Sequence, residues 1–291
     1  MRSWTIAKGH GTENDFVIVL DRHGMMNPTP EDVRMLCNRR TGVGGDGVLR
    51  VVKGSQIPEW DGDPQIWFMD YRNADGSVSE MCGNGVRVFA RYLLDADLAH
   101  GTEIPVGTRA GLRTVTVQRD GQFRVDMGRV RVDAVRTPIT HDGVTYDAIG
   151  ADVGNPHAVV AVADVAALDL NRAPEFDPER FPEGVNVEFV ESIGAGHVRM
   201  RVFERGVGET RSCGTGTVAV AAAARQLAGG ELWRVDVPGG ILRIELTEAE
   251  DARAGAGTGG RGEESGASAR AYLTGPAVVQ VRGEILLPCP D

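Results

Sequence analysis

Asn73-Ala-Asp-Gly-Ser-Val-Ser-Glu-Met-Cys82-Gly83-Asn84-Gly85-Val-Arg-Val-Phe-Ala-Arg-Tyr-Leu94 is the stretch of sequence that decides the fold. A polar, glycine-rich loop leads into Cys82, and the residues after it are apolar at the spacing of an amphipathic helix. The pattern predicts a helix that begins at or just after Cys82. The N–H groups and the dipole of a helix N-terminus favour negative charge, so we expect them to shift the thiol toward thiolate and to bind a carboxylate nearby.

The same layout occurs a second time in the chain. Glu204-Arg-Gly-Val-Gly-Glu-Thr-Arg-Ser-Cys213-Gly214-Thr215-Gly216 is again a polar loop that ends in Cys-Gly-x-Gly, and an apolar helix pattern follows it. Other echoes keep the order: Asn14 recurs as Asn155 at an offset of 155 − 14 = 141, and the cysteines at 213 − 82 = 131. The sequence therefore predicts two copies of a mainly β unit, each with one long helix headed by a cysteine. This is the α+β class.

Residues 249–269 interrupt the second copy. They contain Gly, Ala, Ser and charged residues without a large apolar side chain. Such a composition cannot bury surface, so it predicts a disordered insert that widens a hairpin.

Composition bounds the class of protein. The chain has 291 residues, is 42% hydrophobic and 25% charged, and carries a formal net charge of −10. No basic stripe suits a nucleic-acid partner, no apolar run is long enough to span a membrane, and the N-terminus lacks a signal core. These features predict a cytoplasmic protein. Its four cysteines are then expected to be reduced, and their spacing to the six histidines does not suit zinc.

Two thiols at helix heads suit one kind of chemistry. A thiolate on one face of a carbon can remove its proton while a thiol on the other face returns one, which inverts the centre. The pKa of a cysteine, about 8.5, is close enough to neutrality for such acid–base work.

The sequence offers two lysines, Lys8 and Lys53, that could form a Schiff base with pyridoxal phosphate. Neither lies in a phosphate-binding context that would suit this cofactor.

These motifs together resemble those of the diaminopimelate epimerase family along nearly the whole chain. The residues that carry the resemblance are Gly11-Thr-Glu-Asn14-Asp15-Phe16, Asn73-Ala-Asp-Gly, Met81-Cys82-Gly83-Asn84-Gly85-Val-Arg87, Gly154-Asn155-Pro156-His157, Gly184-Val-Asn186 and Glu204-Arg205-Gly-Val-Gly-Glu-Thr with Cys213-Gly214-Thr215-Gly216.

The resemblance implies an enzyme that interconverts LL- and meso-diaminopimelate without a cofactor or metal, and that forms a homodimer. It also implies two pseudo-symmetric lobes, each a curved, mainly antiparallel sheet or barrel around a long central helix. The lobes would be residues 1–128, joined by a returning segment 277–291, and residues 129–276 with the insert.

The resemblance also implies residue roles. Cys82 and Cys213 would be the base and the acid, in an order that depends on direction, and His157 and Glu204 would set thiol ionisation. Gly47 departs from the pattern, because many relatives place a glutamine there as a substrate contact. The groups that would hold the substrate are Asn14, Asn73, Asn155, Asn186, Glu204 and Arg205 around its far end, and the backbone of Gly83, Asn84, Gly214 and Thr215 around the reacting carboxylate.

Three other functions compete with this interpretation. A related two-cysteine racemase could act on proline or hydroxyproline, although Glu204 and Arg205 suit a longer substrate with a charged far end. A binding protein of the same duplicated fold would lack the thiol pair, and a redox sensor would use the thiols to form a disulfide. The asparagines also have a simpler explanation, since Asn is common in turns for backbone reasons.

Overall fold

The computed structural model of this protein describes residues 1–248 and 267–288. Three α-helices occur in this part of the chain, α1 (Pro30–Cys37), α2 (Gly83–Asp95) and α3 (Gly214–Ala228). The strands are β1 (Arg2–Gly11), β2 (Asn14–Leu20), β3 (Gly47–Lys53), β4 (Trp67–Asn73), β5 (Glu103–Thr108), β6 (Gly111–Val117), β7 (Phe123–His141), β8 (Val144–Asp152), β9 (Pro156–Ala161), β10 (Glu175–Phe176), β11 (Asn186–Gly194), β12 (His197–Glu204), β13 (Gly208–Thr210), β14 (Leu232–Val237), β15 (Gly240–Glu248), β16 (Ser268–Gly275) and β17 (Val278–Leu287).

The chain divides into two compact units, and the first comprises Met1–Asp126 and Thr274–Asp291. Its strands are mostly antiparallel: β17 pairs with β1, β1 with β2, β3 with β4, and β5 with β6. The pair β2 and β3 is parallel. Helix α2 is buried along most of its length and packs against these strands. It is therefore the centre of the first unit.

The second unit comprises Met127–Leu273. Antiparallel pairs join β8 to β9, β11 to β12 and β14 to β15, while β9 and β11 are parallel. Helix α3 packs against β8, β9, β11 and β15, and an apolar cluster that includes Ile139, Val160 and Phe189 lies among the strands. The second unit repeats the plan of the first.

Strand register shows which residues of the two units correspond. In the parallel pair of the first unit Phe16 lies opposite Gly47, and in the parallel pair of the second unit His157 lies opposite Asn186. The offset 157 − 16 = 141 equals that between Asn14 and Asn155. By the same register Gly47 corresponds to Asn186, at an offset of 186 − 47 = 139.

The α+β class predicted from the sequence is confirmed. Helix α1 spans Pro30–Cys37, and Cys37 is a buried residue of the apolar core. Within the described ranges, no helix combines the length and the apolar character needed to span a membrane.

Of the predicted disordered insert 249–269, the structure describes residues 267–269. Residues 249–266 lie outside the described residues. Ser268 and Ala269 belong to β16, and Ala269 is buried, so the prediction is wrong for these two positions. Ala269 is small and apolar, and strand pairing buries it without a large side chain.

Candidate active site

Cys82 is the N-cap of α2, as the sequence predicts. Its backbone is extended, with φ −140° and ψ 120°, and its sulfur accepts the N–H of Gly85 at 3.4 Å. The thiol therefore takes the place that a Ser, Thr or Asp side chain usually takes at a helix start. Gly83 and Asn84 form the first turn behind it, and both are buried.

A chain of amide side chains lies beside Cys82. The Asn14 Oδ1 atom is 3.7 Å from the Cys82 sulfur and accepts the Asn84 Nδ2 at 3.2 Å. The Asn14 Nδ2 donates to Asp46 at 2.8 Å. Three of the residues that the sequence predicts for the site, Asn14, Cys82 and Asn84, are thus in direct contact.

Asn73 is placed differently. It ends β4 opposite Gly47, and its side chain donates to the hydroxyl of Ser77 at 3.0 Å. The nearby Gly47 has no space for a side chain, because a Cβ atom there would lie 2.6 Å from the Arg72 carbonyl oxygen and 2.7 Å from the Tyr71 ring. A glutamine at this position would therefore require the strand backbone to move.

Cys213 is the N-cap of α3 and repeats the geometry of Cys82. Its backbone has φ −121° and ψ 119°, and its sulfur accepts the N–H of Gly216 at 3.4 Å. The Thr215 hydroxyl lies 3.5 Å from the same sulfur. Gly214 is the first residue of the helix and is buried. The two cysteines therefore occupy equivalent positions at the heads of two equivalent helices.

The environment of Cys213 opposes ionisation. Burial raises the pKa of its thiol well above the ordinary value, and the negative charges of Glu204 and Glu188 raise it further, while hydrogen bonds from Thr215 and Gly216 oppose the shift only in part. The negative charge that a helix N-terminus favours is therefore not favoured at Cys213. Desolvation and two carboxylates outweigh the helix dipole there.

Glu204 lies beside this thiol. Burial raises the pKa of Glu204, and hydrogen bonds from the side chains of Thr210 and Cys213 act in the opposite direction. The Thr210 hydroxyl donates to the Glu204 Oε1 atom through a very short contact. The carboxyl group is held in place against the sulfur.

His157 belongs to a buried polar chain behind the same helix head. Its Nδ1 atom lies 2.7 Å from the Glu188 Oε1 atom, and neither side chain is exposed to solvent. Its Nε2 atom lies 3.1 Å from the Asn155 Oδ1, and the Asn155 Nδ2 is 3.5 Å from the Thr215 hydroxyl. Burial raises the pKa of Glu188, and the charge of His157 opposes this.

Asn186 and Arg205 lie beside this group but have other partners. The Asn186 Oδ1 accepts the backbone N–H of Arg205 at 3.0 Å, and its Nδ2 donates to the Pro156 carbonyl at 3.2 Å. The Arg205 guanidinium is exposed and donates to the Glu183 carbonyl at 3.0 Å. The Asn186 side chain thus fixes the backbone at Arg205. The Arg205 guanidinium does not contact Cys213 or the buried side chains around it.

The two helix heads differ in what lies behind them. A Cβ atom on Gly85 would meet Leu49 at 3.3 Å and Phe16 at 3.6 Å, whereas one on Gly216 would meet the Glu188 carboxylate at 2.6 Å. Strand register equates Leu49 with Glu188, since 188 − 49 = 139. An apolar pair behind Cys82 therefore corresponds to an ionisable pair behind Cys213.

Sequence reasoning missed Glu188 as part of the site. The signal is its position within Val187-Glu188-Phe189-Val190, where an acidic residue interrupts an apolar strand. A charged residue is rarely buried unless it is paired, so this interruption indicates a buried partner. The strand pattern does not identify that partner, because His157 lies 31 residues away.

Both lysines are engaged in structural contacts. Lys8 donates to the Gly44 carbonyl and pairs with Asp15, and Lys53 donates to the Gln65 carbonyl. Within residues 1–248 and 267–288, no group of three or more His, Cys, Asp or Glu side chains is arranged to hold a metal ion.

The fold places the chain in a known structural class. A hydroxyproline epimerase from Agrobacterium vitis matches at a TM-score of 0.67 with 16% identity, over 99% of this chain and 94% of that one. A phenazine biosynthesis protein of the PhzF family from Enterococcus faecalis matches at a TM-score of 0.69 with 14% identity, over 98% and 100%. Likeness at such low identity defines the fold alone.

Sequence similarity is more specific. The family model for diaminopimelate epimerase matches residues 6–132 and 150–260. The diaminopimelate epimerase of Thermobifida fusca is 47% identical over 288 residues, which covers 97% of each chain. That of Corynebacterium glutamicum strain R is 50% identical over 250 residues, which covers 82% of this chain and 90% of its own. The chain belongs to the diaminopimelate epimerase family, and the resemblance found in the sequence is confirmed.

Proposed function

We infer that this protein is an epimerase that interconverts LL- and meso-diaminopimelate. The observation that carries the inference is the pair of thiols, Cys82 and Cys213, each the N-cap of the corresponding helix in one of two repeated units. Family membership supports the substrate, and the two thiol N-caps support the chemistry.

We propose that Cys82 and Cys213 act as base and acid on the α-carbon. In one direction the Cys82 thiolate takes the α-proton as the electron pair moves into the carboxylate. The Cys213 thiol then gives its proton to the opposite face. The balance is one proton removed and one returned, which leaves Cys82 as thiol and Cys213 as thiolate. The raised pKa of Cys213 supports its role as the proton donor in the resting enzyme.

Side chains around each thiol have supporting roles in this proposal. Helix N–H groups of Gly83, Asn84, Gly214 and Thr215 would disperse the charge that develops on the α-carboxylate. Glu204 and His157 would set thiol ionisation, with Glu188 holding His157. For the charged far end of the substrate, the groups proposed are Asn14, Asn73, Asn155, Asn186, Glu204 and Arg205.

We also propose a homodimer in the cytoplasm. The dimer rests on the family resemblance. The reducing compartment is supported by the chemistry, since Cys82 and Cys213 must both stay reduced, and the structure has neither in a disulfide.

A substrate comparison tests the function. Purified protein is incubated without cofactor with LL-diaminopimelate, L-proline or trans-4-hydroxy-L-proline, and the stereoisomers are separated by chiral chromatography. We expect meso-diaminopimelate from the first and no inversion of the other two. Inversion of proline or hydroxyproline without turnover of diaminopimelate would instead establish the racemase alternative.

A further inference from the structure

Arg87 is a completely buried cation next to the head of α2. Its side chain has no solvent exposure, and it lies five residues after Cys82. The guanidinium donates to the Gly83 carbonyl at 3.3 Å, to the Asn84 Oδ1 at 2.9 Å and to the Thr12 hydroxyl at 3.4 Å. Its Nε donates to the Pro276 carbonyl at 3.3 Å. All of these acceptors are uncharged.

No carboxylate of the described residues lies within ion-pair distance of this guanidinium. The buried Arg50, by contrast, pairs with Asp21 at 2.7 Å and with Asp70 at 3.2 Å. Burial lowers the pKa of Arg87 to about 10, and the charge interaction with Cys82 opposes that shift. A guanidinium with this pKa still carries its charge at neutral pH. A buried charge is costly unless an opposite charge compensates it, so Arg87 favours an anion at Cys82.

We propose that Arg87 is a positioning residue that serves as the internal counter-ion of the Cys82 thiolate. This inference rests on the role proposed for Cys82 and adds to it a reason why the two equivalent thiols rest in different protonation states. The residue equivalent to Arg87 behind Cys213 is Val218, since 213 + 5 = 218. Cys213 instead experiences the negative charges of Glu204 and Glu188, which raise its pKa.

Arg87 also fixes the orientation of the Asn84 amide and, through it, of the Asn14 amide that contacts the thiol. A guanidinium can only donate, so Asn84 must turn its oxygen toward Arg87 and its NH2 group toward Asn14. Asn14 must then present its oxygen to Asn84 and Cys82 and its NH2 group to Asp46. One buried charge thus determines the orientation of two amides.

Asn14 and Asp46 act against a thiolate at Cys82, and each does so weakly. The Asn14 oxygen favours the protonated thiol, but S–H is a weak donor and the contact is 3.7 Å long. Asp46 is linked to Asn14, and its negative charge is balanced within a cluster in which Arg39 pairs with both Asp46 and Asp15, and Lys8 pairs with Asp15. Arg87, by contrast, has no carboxylate partner among the described residues.

The pH profile of Cys82 alkylation tests the proposal. Wild type, Arg87→Met and Arg87→Lys are treated with iodoacetamide across pH, and modification of the Cys82 peptide is followed by mass spectrometry. Cys37 does not compete, because burial and the charges of Asp46 and Asp15 raise its pKa to about 12.

We expect the alkylation midpoint of Arg87→Met to lie about one pH unit above that of wild type, and the midpoint of Arg87→Lys to shift by less than half as much. Arg91→Met is the matched control, because Arg91 lies on the same helix and pairs with Asp95 at the surface. It should leave the profile unchanged. An unchanged or lowered midpoint in Arg87→Met, or equal shifts in the Met and Lys variants, would overturn the proposal.

A second measurement needs no Arg87 variant to fold. The free energy of unfolding is compared between wild type and Cys82→Ser from pH 6 to 10. A thiolate stabilised in the folded state makes the difference between the two grow with pH until about 8.5, where the unfolded thiol ionises. A difference that stays flat or falls would contradict the counter-ion role. Both readouts are independent of turnover, so the proposal can fail while the epimerase function stands.

Discussion

Alanine substitution at the two corresponding glycines tests the difference between the helix heads. Gly85 and Gly216 each lie three residues after a cysteine, within the first turn of α2 or α3. A Cβ at position 216 would lie 2.6 Å from the Glu188 Oε1 atom, whereas a Cβ at position 85 would lie 3.3 Å from a Leu49 methyl group. Each variant keeps the N–H that the thiol accepts.

The magnitudes follow from these distances. Replacing a helical glycine by alanine gains about 1 kcal/mol in either helix. At position 216 an ordinary contact of 3.4 Å requires the Glu188 carboxylate to move by 3.4 − 2.6 = 0.8 Å. That would lengthen its 2.7 Å contact with His157, a buried hydrogen bond between ionisable groups worth about 1.5–3 kcal/mol. At position 85 the shift is 3.4 − 3.3 = 0.1 Å at the end of a flexible side chain.

We therefore expect Gly216→Ala to destabilise the protein by about 0.5–2 kcal/mol and Gly85→Ala to be neutral or to stabilise it by up to about 1 kcal/mol. Thermal unfolding at pH 7 measures this, with a change of about 2–4 °C for each kcal/mol in a chain of this size. Equal changes in the two variants, or a more stable Gly216→Ala, would refute the assignment of a tightly packed ionisable pair behind Cys213.

Two further predictions concern the first unit. Gly47→Gln is expected to destabilise it by about 1–3 kcal/mol in urea unfolding, because the new side chain overpacks against the Arg72 carbonyl and the Tyr71 ring; unchanged stability would contradict the close approach. Burial would raise the pKa of Asp70, but arginines including Arg72 and Arg109 hold it below its usual value. The stability that the ionised Asp70 contributes is present above the unfolded pKa of about 3.9 and is lost as pH falls through the folded pKa. Asp70→Asn should therefore cost about 3–5 kcal/mol at pH 7 and flatten the acid side of a plot of unfolding free energy against pH. An acid side as steep as that of wild type would contradict this.

Local signals in the sequence were sufficient to place the helix heads. A polar loop, Cys-Gly-x-Gly and an apolar helical pattern predict the starts of α2 and α3, because capping depends on residues within one turn. The order of the repeats was also visible, since Asn14 and Asn155 keep their place at the start of equivalent strands. These features depend on neighbours along the chain.

The charges that distinguish the two thiols could not be found in this way. His157 and Glu188 meet through the parallel pairing of β9 and β11, and Arg87 reaches Pro276, 189 residues further along the chain. Sequence spacing does not encode such contacts, so the sequence alone does not predict that the environments of the two thiols differ. The equivalence of Gly47 and Asn186 likewise became visible through strand register.

Proton exchange tests the two-thiol mechanism most directly. LL-diaminopimelate is incubated in D2O with wild type, Cys82→Ser, Cys213→Ser and the control Cys37→Ser, which alters a buried thiol that the mechanism does not use. The account predicts that early product from wild type and Cys37→Ser carries deuterium at the inverted α-carbon, while the remaining substrate carries little. Cys82→Ser and Cys213→Ser are predicted to lose turnover by orders of magnitude. Product that retains its original proton, or near wild-type turnover by Cys82→Ser or Cys213→Ser, would contradict it.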